Sequence, residues 1–126
     1  MTQYKDLADA TYIAVETFRK NGDGVKTPVW FTTDGDKYHC WTGAGSGKVK
    51  RIRNNAEVNL AKCDSRGTLE SDWVSAKAQV LDNPADVKMQ TQRMAKKYGI
   101  MYRLFQMMGM IRGSKYVAIE FSHVTG

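Results

Sequence analysis

The sequence is sparing with the residues that staple, ligate or break a chain. It holds two cysteines, two histidines and two prolines in 126 residues. Cys40 and Cys63 are spaced as neither a zinc site nor a redox pair, which excludes a disulfide scaffold and fits buried thiols in a reducing cytoplasm. His39 and His123 lie too far apart to suggest a metal centre and read as ordinary strand or terminal residues. No run approaches the roughly 18 consecutive apolar residues of a membrane helix. Met1 to Asp9 mixes charge and polarity without the apolar core of a signal segment. No Ser-His-Asp or Cys-His arrangement can be argued from spacing. Repeats, linkers and low-complexity tracts are absent too, so residues 1–126 are expected to form a single domain with a real core.

What the chain does have is positive charge, a formal +6 at pH 7. Such a balance suits nucleic acid, an anionic membrane or a phosphorylated ligand. Its distribution separates these. The densest cluster is Lys48, Lys50, Arg51 and Arg53, and a second is Arg93, Lys96 and Lys97; elsewhere acids and bases mix. A local concentration at one helix start suits a compact anion better than a polymer, which is usually met by charge spread along a face. No aromatic is interleaved with these bases, as a stacking platform for single-stranded nucleic acid requires. Lys50 and Arg53 read as a solvated helix face.

The cluster sits directly behind a glycine loop, Thr42-Gly43-Ala44-Gly45-Ser46-Gly47-Lys48. Glycine lets backbone approach a ligand closely, and a helix N-terminus presents free N–H groups that favour anions. Two phosphate motifs are excluded here. A Walker loop needs glycine where Thr42 stands and Ser or Thr where Val49 stands. A dinucleotide fingerprint needs its third glycine where Lys48 stands, and a βαβ frame that this chain lacks.

Residues 11–20 read as a strand, and Asn21-Gly22-Asp23-Gly24 as a hairpin turn. Strands follow at 25–33, interrupted by Pro28, and at 37–42, the two separated by the tight turn Asp34-Gly35-Asp36. The basic helix ends near Asn54-Asn55, with Val49, Ile52 and Ala56 at the spacing of a core-facing stripe. A strand over 57–63 and an alternating strand over 72–81 come next. In the latter Val74, Ala76, Ala78 and Val80 face inward. Asn83 is placed to cap a helix with Pro84 at its first position, running to Tyr98 and stopping at Gly99. A second helical pattern spans 101–111, its methionines read as soft core or interface filler. A last strand over 115–122 buries Val117, Ile119 and Phe121. Six short strands, mostly joined by hairpins, predict a mainly β protein, a six-stranded antiparallel barrel with peripheral helices.

The runs Thr17-Phe18-Arg19-Lys20-Asn21-Gly22, Thr27-Pro28-Val29-Trp30-Phe31, Trp41-Thr42-Gly43 and Ser46-Gly47-Lys48-Val49, in this order and spacing, resemble the pyridoxamine 5′-phosphate oxidase-like, FMN-binding split-barrel superfamily. Asn54-Asn55-Ala56-Glu57-Val58 and Lys96-Lys97-Tyr98-Gly99 extend the likeness over nearly the whole chain. Within the superfamily, the small deazaflavin (coenzyme F420)-dependent oxidoreductases are the most similar.

The resemblance implies a cytoplasmic homodimer with cofactors at the subunit interface. It places Trp41 and Thr42 on a pair that holds the flavin phosphate, and Lys48 on the lysine of an Arg-Lys pair. Gly47 replaces that arginine, and Arg51, one turn on, is a candidate to supply the missing charge. Thr27, Pro28, Val29 and Trp30 fall where the family's backbone runs along the flavin ring. Pro28 is tolerated where a strand leaves its ladder. The cofactor-binding residues expected on this basis are Thr27, Pro28, Val29, Trp30, Trp41, Thr42, Ser46, Lys48 and Arg51, with FMN or coenzyme F420 as cofactor and no metal. No catalytic side chain is assignable: the cofactor would do the chemistry and the protein would bind and orient it. The superfamily's true oxidases are longer and carry C-terminal substrate-binding residues. The expectation is therefore a flavin- or deazaflavin-dependent oxidoreductase acting on a small organic substrate, rather than an enzyme of vitamin B6 synthesis. The alternatives are a non-catalytic FMN-, deazaflavin- or haem-binding barrel and, further off, a basic nucleic-acid-binding barrel.

Overall fold

The computed structural model describes residues 2–99 and 116–124. The helical pattern expected over 101–111 lies outside the described residues. After a single 3₁₀ turn, Tyr4–Leu7, the elements are β1 (Tyr12–Phe18), β2 (Gly24–Asp34), β3 (Lys37–Gly43), α1 (Gly47–Asn54), β4 (Glu57–Cys63), β5 (Val74–Leu81), α2 (Pro84–Tyr98) and β6 (Tyr116–His123). The strands close into an antiparallel barrel in the order β1-β2-β3-β6-β5-β4.

Turn and cap chemistry set the boundaries. Asp23 N donates to the Asn21 side chain, Gly22 has φ of +94°, and Arg19 N donates to Asp23 O. Arg19 and Lys20 thus belong to the turn, and β1 ends earlier than expected because the Asn side chain competes with the ladder for backbone donors. Asn83 Oδ1 accepts from Ala85 N at 2.8 Å, with Pro84 following, and α2 stops at Gly99 with φ of +60°. β5 begins at Val74 rather than Asp72. The Ser71 hydroxyl accepts from Lys62 N and donates to Asp72 O, so a side chain takes over the ladder's role there.

Phe31, Phe121, Ile13, Leu60, Val15 and Ile119 are fully buried inside the barrel. Each contributes on the order of 1.5–3 kcal/mol by leaving water. Both cysteines are buried and free. Burial pushes the Cys40 thiol up to about 12 and the Cys63 thiol to about 11, so neither is reactive. The Tyr4–Leu7 turn, unforeseen because two apolar residues three apart are too short a pattern to read, plugs one end. Tyr4 stacks on Tyr38 at 4.5 Å and donates to Phe121 O, while the Tyr38 hydroxyl donates to Tyr4 O at 2.6 Å.

α1 packs against β1 and β5, burying Val49 and Ile52 as expected. Ala56 is exposed, contrary to the helical stripe drawn through it. The helix ends at Asn54, so the 3.6-residue period no longer governs residue 56; its carbonyl instead accepts from Ala78 N. α2 lies on the outer face of β2, β3 and β6 and turns Gln90 and Met94 inward. Gln90 is fully buried; its amide accepts from Thr32 Oγ1 and donates to His39 O.

The barrel is not evenly laddered. Among the described residues β2 pairs with β3 only from Phe31 to Asp34, opposite Cys40 to Lys37. Residues 24–30 of β2 pair with β1 alone, and residues 41–43 of β3 with β6 alone. Where the strands part, the C-terminal end of α2 steps in. The Tyr98 hydroxyl accepts from Phe31 N at 3.0 Å and has the carbonyls of Thr11 (2.8 Å) and Phe31 (2.9 Å) in reach of its own proton. Lys97 Nζ donates to Ala10 O and Phe31 O and lies 3.7 Å from the centre of the Phe31 ring.

Two outcomes follow. Tyr98→Phe orphans the buried Phe31 N–H and is expected to cost about 1–3 kcal/mol of stability, read from urea denaturation. His39 is buried under α2, with Nε2 3.1 Å from Glu120 and Nδ1 without a partner among the described residues. Burial holds its imidazole below the ordinary 6.5; the Arg93 charge adds to this, while the Glu120 hydrogen bond opposes it. The unfolded chain then takes the proton more readily. The stability His39 confers is present above 6.5 and declines as pH falls through the lowered value; His39→Gln should flatten that acid-side decline in denaturation midpoints.

Candidate functional site

Because β2 joins β3 only from Phe31 onward, the wall between them is open along residues 24–30, and the two faces of each strand present different chemistry along the gap. On β2 the inward positions are Val25, Thr27 and Val29, opposite Thr17, Val15 and Ile13 of β1. Pro28 and Trp30 point outward. On β3 Trp41 lies on the outer side with His39, and Thr42 follows Tyr38 and Cys40 inward.

At the open stretch lies a cleft of about 240 Å³ lined by Tyr12, Pro28, Val29, Trp30, Trp41, Ser65 and Met94. The two tryptophans, which barrel core would equally have accommodated, are half-buried walls of this cleft. Trp30 stacks on Tyr98 at 4.6 Å and 11°, and Trp41 on Tyr116 at 3.8 Å and 20°. Pro28 is backed by the loop after β4: a Cβ at Gly67 (φ +89°) would already lie 3.5 Å from the proline ring. The cleft is apolar and aromatic, the chemistry expected of a surface for a flat ring.

The second part lies at the start of α1. Ser46 is the N-cap, its hydroxyl accepting from Val49 N at 3.3 Å. The Thr42 and Ser46 hydroxyls lie 3.4 Å apart, and Ser46 N donates to Gly43 O, closing the loop. Side chains at Gly43 or Gly45 would meet nothing within 4 Å, and neither glycine has positive φ. The folded chain itself therefore makes no demand for glycine there, and the space over this backbone is open to a ligand.

Two cations stand beside this loop. Lys48 is half-buried and makes no hydrogen bond or ion pair among the described residues. Burial holds its ammonium below the ordinary 10.5; the nearby Cys40 opposes this and Arg51 adds to it. Arg51 donates from Nε to the buried Thr17 hydroxyl at 2.6 Å and pairs with no carboxylate among the described residues. Its guanidinium folds back over the first residue of the helix: Nη1 lies 2.7 Å from where a Cβ on Gly47 would stand. The guanidinium thus stands beside residue 47, reaching it from one turn on. Lys50 is exposed, and the exposed Arg53 meets Asp82 at 3.4 Å, so both face solvent as expected.

Of the sequence-derived site residues, the structure gathers Pro28, Val29, Trp30 and Trp41 in the cleft and Thr42, Ser46, Lys48 and Arg51 at the loop and helix start. Thr27 precedes Pro28 on the inward face of β2, opposite Val15, and its buried Oγ1 has no hydrogen-bond partner among the described residues. Tyr12, Ser65, Met94 and Thr17 escaped the sequence reading because each reaches the site from another element. Only the Tyr12–Trp30 pairing across the first hairpin carried a signal, through its turn. Among the described residues no histidine or cysteine lines the cleft, and no group of three or more potential ligands is placed to hold a metal.

The protein is thus a small antiparallel β-barrel with an apolar, aromatic cleft and, at the start of α1, two cations beside a capped helix N-terminus. The chain belongs to the pyridoxamine 5′-phosphate oxidase family, whose sequence profile matches residues 2–126. No curated protein matches it. Solved structures share the fold at low identity. HutZ, the heme storage protein from Vibrio cholerae, is 10% identical, with a TM-score of 0.70 over 94% of this chain and 84% of its own. An F420 reductase is 14% identical, with a TM-score of 0.62 over 99% and 96%. A pyridoxamine 5′-phosphate oxidase-related, FMN-binding protein from Nostoc punctiforme is 12% identical, with a TM-score of 0.60 over 96% and 74%.

Proposed function

We propose that this protein is a flavin- or deazaflavin-dependent oxidoreductase. In this reading it binds FMN or coenzyme F420 with the ring in the cleft and the phosphate at the start of α1. The observation that carries it is the pair Lys48 and Arg51: two half-buried cations beside a capped helix N-terminus, with no carboxylate on either among the described residues. Like charges so placed repel one another and lose hydration, a cost that an anion between them removes. A phosphate fits this donor set, with hydroxyls from Thr42 and Ser46 and open backbone at Gly43 and Gly45. The unsatisfied Thr27 hydroxyl is a ready partner for a polar edge of the ring.

When bound, such a ring supplies hydride transfer, at N5 of a flavin or C5 of a deazaflavin. The chain's own part is to bind and orient. Trp30 and Trp41 bound the cleft, backbone at 27–30 runs along it, and Lys48 and Arg51 anchor the phosphate. A homodimer with the cofactor at its interface belongs to the same reading, supported by the one-sided openness of the cleft. The F420 reductase and the FMN-binding neighbour favour it; the haem storage neighbour favours a carrier reading on the same barrel.

An absorption spectrum of the purified protein after exposure to FMN, coenzyme F420 and haem separates these outcomes. Lys48→Ala should weaken binding of the flavin or deazaflavin by about 1–3 kcal/mol, the scale of a charge-assisted hydrogen bond. Affinity should fall as pH rises through the lowered value of Lys48, earlier than 10.5, because the ammonium is the binding form. Lys48→Arg should move that fall to higher pH. If neither cofactor binds at roughly micromolar concentration while haem does, the oxidoreductase reading is wrong.

A further inference from the structure

We infer that Thr17 is a positioning residue for the anion seat. Its hydroxyl aims the Arg51 guanidinium into the place left by the missing side chain of Gly47, so that Arg51 and Lys48 act as one two-cation clamp on a phosphate-class anion. The inference rests on the phosphate reading above and names what sets its geometry.

Thr17 sits on the inward face of β1, opposite Val25, with no exposure. A β-branched side chain buried in a strand has little rotamer freedom, so its hydroxyl is a fixed point. Arg51 spends Nε on that point at 2.6 Å. The fork keeps its four Nη protons for another acceptor, and a planar fork fixed at Nε presents them in one plane. That plane is delivered beside the first residue of α1, since Nη1 lies 2.7 Å from the position of a Cβ on Gly47. An alanine there would displace only the far end of a flexible side chain, and the barrel would feel nothing. Thr17 and Arg51 are 34 residues apart, which is why no local motif joins them. A hydroxyl holds the guanidinium without neutralising its charge. A carboxylate at residue 17 would position it equally well but neutralise the charge on which an incoming anion depends.

The test compares each cofactor with its phosphate-free counterpart: FMN against riboflavin, and coenzyme F420 against the deazaflavin nucleoside, by fluorescence titration. Wild type should prefer the phosphorylated member. Thr17→Val, which preserves shape, should reduce that preference by roughly tenfold, the scale of a lost hydrogen bond to a charged group. Phosphate-free binding should stay unchanged, and Thr17→Ser should restore the preference. Gly47→Ala should reduce it comparably without lowering Tm, because alanine favours a helix over glycine.

A Thr17→Val protein that keeps the full preference overturns the inference while the phosphate seat stands. The same holds if affinity for both members of a pair falls equally, which marks a structural role. If only Gly47→Ala is silent, the part assigned to Gly47 falls alone. A wild-type protein that takes the phosphorylated and phosphate-free compounds equally, or takes neither, overturns the phosphate reading and this inference with it.

Discussion

The second strand pairs with the third only from Phe31 onward, and the backbone groups left at that junction have to find other partners. Phe31 N and O find them in the Tyr98 hydroxyl and the Lys97 ammonium, both from the last turn of α2. This substitution lets a closed barrel carry an open seam. An unsatisfied N–H at a residue with no exposure would cost enough to favour either full pairing or local unfolding. With the two α2 side chains in place, β2 can stay extended along β1 while its other edge is given up. The cleft, the aromatic walls and the exposed position of Pro28 all depend on that edge. Proline, lacking an N–H, fits a strand whose second neighbour is absent.

The basic helix start follows shortly on the part of β3 that pairs with β6 alone: that pairing ends at Gly43 and α1 begins at Gly47. Serine caps it, and two cations flank it without an acid between them. Three other cations meet carboxylates: Arg93 meets Asp34, Lys62 meets Asp9, and Arg53 meets Asp82. Lys48 and Arg51, both half-buried, meet no carboxylate among the described residues, so each keeps its charge beside the other.

Much of the scaffold was legible from local chemistry. The Asn-Gly-Asp-Gly and Asp-Gly-Asp turns, the Asn83-Pro84 helix start, the Gly99 stop and the alternation of Val74 to Val80 are each decided within a few residues. They came out where local rules put them, to within two or three residues. The Ser46-Gly47-Lys48 helix start was legible for the same reason. The stripe drawn through Ala56 failed because periodicity says nothing about where a helix ends. Gln90, a buried amide in the middle of α2, could not be told from a surface glutamine. Its partners, Thr32 and the His39 carbonyl, lie 58 and 51 residues away.

The site divides along the same line. By itself the chain determined which residues carry charge, cap and turn: Lys48, Arg51, Ser46 and the glycines around them, and hence that positive charge gathers near one helix start. These properties belong to the side chains and their immediate neighbours. Only the tertiary structure decided that Arg51 folds back over Gly47, that Thr17 holds it there, and that Trp30 and Trp41 line a cleft instead of filling the core. Those outcomes depend on where β1, β2 and α2 come to rest against β3. A strand's edge is paired or open only once its neighbours are in place, and no stretch of sequence contains that information alone.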